Sequence, residues 1–177
     1  MTLTNYWWLL IWMFTGGLFL AYFIPKQNQN MGGEIKKCWL LIPSILLIMP
    51  YVIWAGLRTD NWGDTYAYRE MFEEAPASLS GLVSYIVNAE KDQGFSALVV
   101  LIKTLFGNSD VIFFAIIALI QFLCLIYVYR KYSCNLWLSI FIFVASTDYM
   151  SWIHNGMRQF LAVCITTVAI MLSLKKK

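Results

Sequence analysis

An all-α, polytopic membrane helix bundle is the fold class that this chain predicts, and three observations predict it. Three uncharged runs of 19 residues, Tyr6–Ile24, Trp39–Leu57 and Val111–Tyr129, can each cross the ~30 Å hydrocarbon core as a helix. The composition is 60% hydrophobic and 13% charged, where a soluble domain carries ~25% charge. The charges are also sorted: bases collect at one set of run ends, and acids with a few special bases at the other. No polar stretch is long enough to build a separate water-soluble core, so residues 1–177 read as a single integral membrane domain. With net charge +3 and mean hydropathy +0.64, the basic excess suits anionic lipid headgroups, and nothing points to nucleic acid.

The first span is expected at about 6–24. No Lys or Arg precedes it and no small-residue cleavage site follows, so it reads as a retained helix rather than a cleaved signal. Residues 25–38 carry Lys26, Lys36 and Lys37 against Glu34, and the positive-inside rule makes this loop cytoplasmic and the N-terminus external. The second span, 39–57, contains Pro43 and Pro50, which predict a kink. The following loop, to residue 93, has three bases (Arg58, Arg69, Lys91) against seven acids, which places it outside.

Within that outer loop two short amphipathic helices are expected. Asp64 caps one over 65–75, with Tyr68, Met71, Phe72 and Ala75 on one face, and Pro76 ends it. Ser78 caps the other, with Leu79, Leu82, Val83 and Ile86 on its stripe. Segment 94–106 is apolar but only about 20 Å long as a helix, so it predicts an interfacial or re-entrant element. Gly107 ends it, and Asn108 or Ser109 caps the next helix with Asp110 in its first turn. Spans at 110–129, 132–153 and 156–174 complete five crossings, with Arg130, Lys131 and Lys175–Lys177 all inside.

Three constellations on the outer side carry chemistry-capable groups. The first is Gly56–Tyr68, where Arg58 offers a fork for a phosphate and Trp62, Tyr66 and Tyr68 offer flat faces for a sugar. An interfacial aromatic belt with Arg58 paired to Asp60 or Asp64 accounts for the same residues. The second is Glu90–Phe95, where Asp92 is either a proton acceptor or a helix N-cap. The third is the turn around His154, Asn155 and Gly156, which brings Asp148 and Arg158 to similar depth. A charge there is a functional site by default or a structural Asp148–Arg158 ion pair. His154, the sole histidine, is a general-base candidate or a solvated side chain. The four cysteines (Cys38, Cys124, Cys134, Cys164) form no Cys-x-x-Cys pair, so neither a metal site nor a disulfide framework is expected.

Gly56-Leu57-Arg58, Gly63-Asp64-Thr65 with Tyr68, Lys91-Asp92-Gln93-Gly94-Phe95 and Asn155-Gly156-Met157-Arg158-Gln159-Phe160-Leu161-Ala162 occur in an order that resembles the EpsG family of bacterial exopolysaccharide membrane proteins. That family is similar in role to Wzy-type polysaccharide polymerases. Two departures stand out. Gln93 occupies a position where the family usually has proline, and family members are longer with further membrane helices, so a truncated or minimal member is expected. The resemblance implies a multi-pass protein of the bacterial plasma membrane, N-terminus outside and C-terminus cytoplasmic. It implies transfer of polyprenyl-pyrophosphate-linked oligosaccharide onto a growing chain at the outer face, in exopolysaccharide, capsule or O-antigen synthesis, without a cofactor. Arg58 and Arg158 would then hold the diphosphate, and Asp64, Asp92 or His154 would take the acceptor proton. Trp62, Tyr66 and Tyr68 would position sugar, with Asp60, Asp148 and Gln159 completing the substrate-binding set. Membrane lipids and other polysaccharide-synthesis proteins are the remaining expected partners. A scaffold subunit of a synthesis complex and a lipid-linked-glycan transporter are the alternatives. The transporter is disfavoured because the spans hold few polar groups beyond Gln121, Thr166 and Thr167.

Overall fold

The computed structural model describes residues 3–23, 41–89, 92–146 and 148–175, and among them every regular element is helical. The order is α1 (Leu3–Phe23), α2 (Leu41–Gly56), α3 (Thr65–Glu74), a 3₁₀ turn (Leu79–Gly81) running into α4 (Leu82–Asn88), α5 (Gln93–Phe106), α6 (Asp110–Tyr132), α7 (Leu136–Ala145), a π-helical segment (Tyr149–Asn155) and α8 (Met157–Lys175). The expected cytoplasmic loop with Lys26, Glu34, Lys36, Lys37 and Cys38 lies outside the described residues, as do Glu90, Lys91, Lys176 and Lys177.

By length and composition α6 and the Met157–Leu174 part of α8 can cross a membrane alone, and α7 with the π segment makes a third candidate across a 73° bend. Large apolar side chains point outward along α1 (Trp7, Trp8, Ile11, Phe14, Leu18) and α8 (Val163, Ile165, Ile170), a surface that suits lipid and not water. The chain is therefore a helical membrane protein.

Side-chain bonds set the helix order. Tyr51 on α2 donates to the Leu9 carbonyl at 2.6 Å, and Trp12 on α1 donates to the Leu47 carbonyl at 3.0 Å. Partners that fall along one chain as they rise along the other make α1 and α2 antiparallel. Gly56 lets α2 meet α6: a Cβ there would stand 2.9 Å from the Val111 carbonyl oxygen. Gln121 in α6 donates to the Met157 carbonyl of α8 at 2.8 Å. Tyr6 near the start of α1 donates to the Val144 carbonyl near the end of α7. The start of α1, the end of α2, the start of α6, the end of α7 and the start of α8 thus share one side.

Two aromatic-rich cores result. One, around Tyr51, Trp54, Phe122, Phe143 and Tyr149, joins α1, α2, α6 and α7. The other, around Phe72, Phe95, Phe113, Met157 and Leu161, seats α3 and α5 on α6 and α8. Lys103 adds a polar pin to the second core. It is 6% exposed, and its Nζ donates to the carbonyls of Phe72, Glu73 and Ala75 at 2.8, 2.8 and 2.7 Å, closing the C-terminus of α3 from α5.

Several boundaries follow expectation. α3 carries buried Phe72 on its expected face and ends before Pro76; α5 ends at Gly107 (φ 81°); Ser109 accepts from the Ile112 amide as the N-cap of α6. Asp64 and Ser78 occupy N-cap positions but make no side-chain cap hydrogen bond, a departure from the expected caps.

Two further expectations fail. The stripe Leu79–Leu82–Val83–Ile86 is split: Leu82 and Tyr85 pack inward while Leu79 and Val83 are exposed, because the chain starts as a 3₁₀ turn and its three-residue pitch shifts the register. The expected continuous span 132–153 is broken after Ala145. Ser146 Oγ donates to the Phe143 carbonyl at 2.8 Å and accepts from the Asp148 amide at 3.2 Å, a local turn that competes with the helix ladder.

Candidate functional site

Residues from all three constellations come to the shared end of the bundle and form two groups there. The first is a groove of about 660 Å³ between α5 and α8, lined by Asp92, Gly94, Phe95 and Leu98 on one wall and by Arg158, Gln159, Leu161, Ala162, Ile165 and Thr166 on the other. Its mouth is polar. Arg158 Nη1 meets Asp92 Oδ2 at 2.8 Å, and both side chains remain partly open to solvent, 40% and 44% exposed. Its floor is apolar and follows α8 for two turns toward the bilayer.

Local structure aims the carboxylate at this mouth. Asp92 has φ 58° and ψ 40°, and is the one non-glycine with positive φ among the described residues. Its carbonyl accepts from Phe95 and Ser96, so its backbone starts α5, yet its side chain makes no cap bond and turns to Arg158 instead. The left-handed conformation costs about 1 kcal/mol for a residue other than glycine, a cost typical of residues held for function. Gly94 has open space about it, which keeps this mouth uncluttered. The wall is braced by Tyr68, whose ring meets Phe95 edge-on at 6.0 Å. The expected Asp148–Arg158 pair is not formed: Arg158 goes to Asp92, and Asp148 is exposed with no ion pair among the described residues.

The second group lies at the ends of α2 and the π segment. Arg58 is 3% exposed; its Nε donates to the Ala55 carbonyl at 2.7 Å, its Nη1 to the His154 carbonyl at 3.4 Å, and its guanidinium lies 4.2 Å over the Phe114 ring. The expected pairing of Arg58 with Asp60 or Asp64 is absent. Arg69, which the sequence offered only as one charge among many, takes Asp60 and also Asp110, the latter at 2.7 Å, and donates to the Arg58 carbonyl at 3.3 Å. Trp62 is half-buried against Trp54 and His154, with ring centroids 5.8 and 5.9 Å away. Gly63 (φ 53°) presses on Asn155, whose Oδ1 would lie 1.4 Å from any Cβ. His154 is 1% exposed, enclosed by rings rather than solvated.

The expected aromatic platform is dispersed. Trp62 joins the Arg58 group, Tyr68 braces the groove, and Tyr66 is 62% exposed. Asp64 is exposed and stands in neither group. Sequence reasoning passed over Lys103, Arg69, Trp54 and Tyr149. A lysine inside an apolar stretch was the available signal for Lys103; Trp54 and Tyr149 read as ordinary span aromatics. Among the described residues, no three His, Cys, Asp or Glu side chains come together to hold a metal ion.

The EpsG family model matches residues 39–177, which takes in both groups. No curated protein and no solved structure matches the chain.

Proposed function

The chain belongs to the EpsG family, membrane proteins of polysaccharide biosynthesis, and from that premise we propose that it is a polymerase that transfers lipid-linked oligosaccharide units at the non-cytoplasmic face. The observation that carries this reading is the α5–α8 groove, with an Arg–Asp pair at its mouth and an apolar floor leading toward lipid. A polyprenyl pyrophosphate has the same division: a charged diphosphate head and a long apolar tail.

In this reading Arg158 and Gln159 receive the diphosphate, and Leu161, Ala162 and Ile165 receive the first part of the tail. An incoming diphosphate competes with Asp92 for the Arg158 fork. The carboxylate so released accepts the proton of the acceptor hydroxyl as its oxygen bonds to the anomeric carbon. The glycosidic C–O bond to the phosphate breaks, and the electron pair leaves with the diphosphate, whose growing charge Arg158 stabilises in a water-poor setting. Among the base candidates Asp92 is favoured over Asp64 and His154, because it alone shares the groove with an arginine. Arg58 then acts apart from the diphosphate.

The test is the length distribution of surface glycan in a strain lacking the gene, complemented with this chain or with Arg158→Ala. A ladder restored by the chain and collapsed to single repeat units by the substitution supports polymerisation. A ladder restored equally by both would replace this reading with the scaffold subunit.

A further inference from the structure

Four side chains at the outer end of the bundle carry more polar atoms than their neighbours satisfy. Arg58, Trp54, Tyr149 and His154 are 3%, 6%, 0% and 1% exposed. Arg58 Nη2, Trp54 Nε1, the Tyr149 hydroxyl and both ring nitrogens of His154 have no hydrogen-bond partner among the described residues. The four form one cluster. Trp54 and Tyr149 have ring centroids 5.9 Å apart, and His154 lies 5.0 and 5.4 Å from them. The Arg58 side chain reaches the His154 carbonyl at 3.4 Å. Buried polar groups are almost always paired, because each unpaired one keeps its full desolvation penalty. Unpaired atoms on four adjoining residues mark a binding site rather than one accident of packing.

The charge count narrows the ligand. Arg69 is balanced by Asp60 and Asp110, and no described carboxylate pairs with Arg58. Arg58 therefore keeps its single positive charge with no described carboxylate in contact, while the wider group of Arg58, Arg69, Asp60 and Asp110 sums to zero. The free atoms are donor-rich: guanidinium and indole nitrogens only donate, and the phenol and imidazole can. We propose that Arg58, Trp54, Tyr149 and His154 form a site for a singly charged oxyanion, a carboxylate or a phosphodiester, roofed by the loop around Trp62 and Gly63. A diphosphate would bring more negative charge than this cluster balances. Trp62 covers the cluster by its contacts with Trp54 and His154, and Gly63 closes on Asn155, so the anion enters when this loop lifts. Acidic sugars and phosphodiester-substituted glycans or lipids are the two sources of such a group. The site does not depend on the polymerase reading, since binding needs no turnover.

Thermal unfolding of the purified protein in detergent tests the proposal, with glucuronate, dimethyl phosphate, pyrophosphate and neutral glucose as probes. Glucuronate or dimethyl phosphate is expected to raise Tm at lower concentration than pyrophosphate, with glucose inert; whichever of the two acts at the lower concentration identifies the source. Tyr149→Phe deletes one unpaired atom and keeps the ring, and Trp54→Phe removes the unpaired indole N–H together with part of the ring. Without ligand Tyr149→Phe is expected to unfold at or above the wild-type temperature and Trp54→Phe below it; each is expected to need about fivefold more anion for the same stabilisation, the worth of one hydrogen bond. Arg158→Ala is expected to respond to glucuronate and dimethyl phosphate as wild type. The proposal is overturned if neither monoanion stabilises the protein, if the effect survives both Phe variants, or if Arg158→Ala alone removes it. A normal anion response alongside a failed glycan ladder would count against the polymerase reading and not against this site.

Discussion

Arg158 presents its guanidinium to one Asp92 oxygen at 2.8 Å and stays accessible from the groove, so its fork can turn to a ligand. Arg158→Lys keeps the charge and loses the fork, and is expected to shorten glycan nearly as much as Arg158→Ala. Asp92 allows a sharper test. Asp92→Gly removes the carboxylate from a left-handed position that glycine adopts freely, so the variant should unfold at or above the wild-type temperature while transfer falls about a hundredfold or more. Unimpaired transfer by Asp92→Gly would remove this carboxylate from the proton-accepting role. Asp92 was legible in the sequence as either a base or a cap. The choice depended on a side-chain direction that a left-handed backbone sets, and no local pattern encodes that.

At the scale of elements, Lys103 joins α3 to α5 beside the apolar core that they share. Its ammonium donates three bonds, at 2.7 to 2.8 Å, to carbonyls that end α3. Lys103→Met fits the apolar surroundings but leaves those carbonyls without a partner, and is expected to cost about 3 kcal/mol in unfolding measurements and to expose α3 to protease. A stability change under about 0.5 kcal/mol, the usual size of a surface substitution, would mean that water replaces the lysine without loss. The loop over the Arg58 cluster is held in another way. Gly63→Ala cannot be placed without moving Asn155, and the positive φ adds strain. That variant should loosen the loop and speed quenching of tryptophan fluorescence at Trp62, with helix content by circular dichroism unchanged. The elements themselves were largely visible from the sequence: α3 and α5 fall within a residue of expectation, and α6 begins where expected and runs three residues further. The break after Ala145 was missed because an apolar run with one polar interruption reads as a span, whereas Ser146 can draw its bonds from the backbone on either side.

For the whole molecule, the division is between a lipid-facing bundle and a polar end built where five helix ends meet. The bundle depends on close contact, since lipid removes most of the hydrophobic drive between helices and leaves packing. Gly56→Val would push α2 off the Val111 carbonyl and is expected to lower stability by about 1–3 kcal/mol, the usual range for overpacking, and to disturb Arg58 two residues on. Composition and periodicity by themselves determined that this is a helical membrane protein and which end of each helix carries the charged constellations, because these properties are local or additive along the chain, and the order of its short motifs pointed to the family. Tertiary structure alone decided the pairings: Arg158 with Asp92, Arg69 with Asp60 and Asp110, and Arg58 left among unpaired donors. Those pairings join side chains far apart in sequence, and they exist only because α2, α5, α6 and α8 bring particular ends to one place.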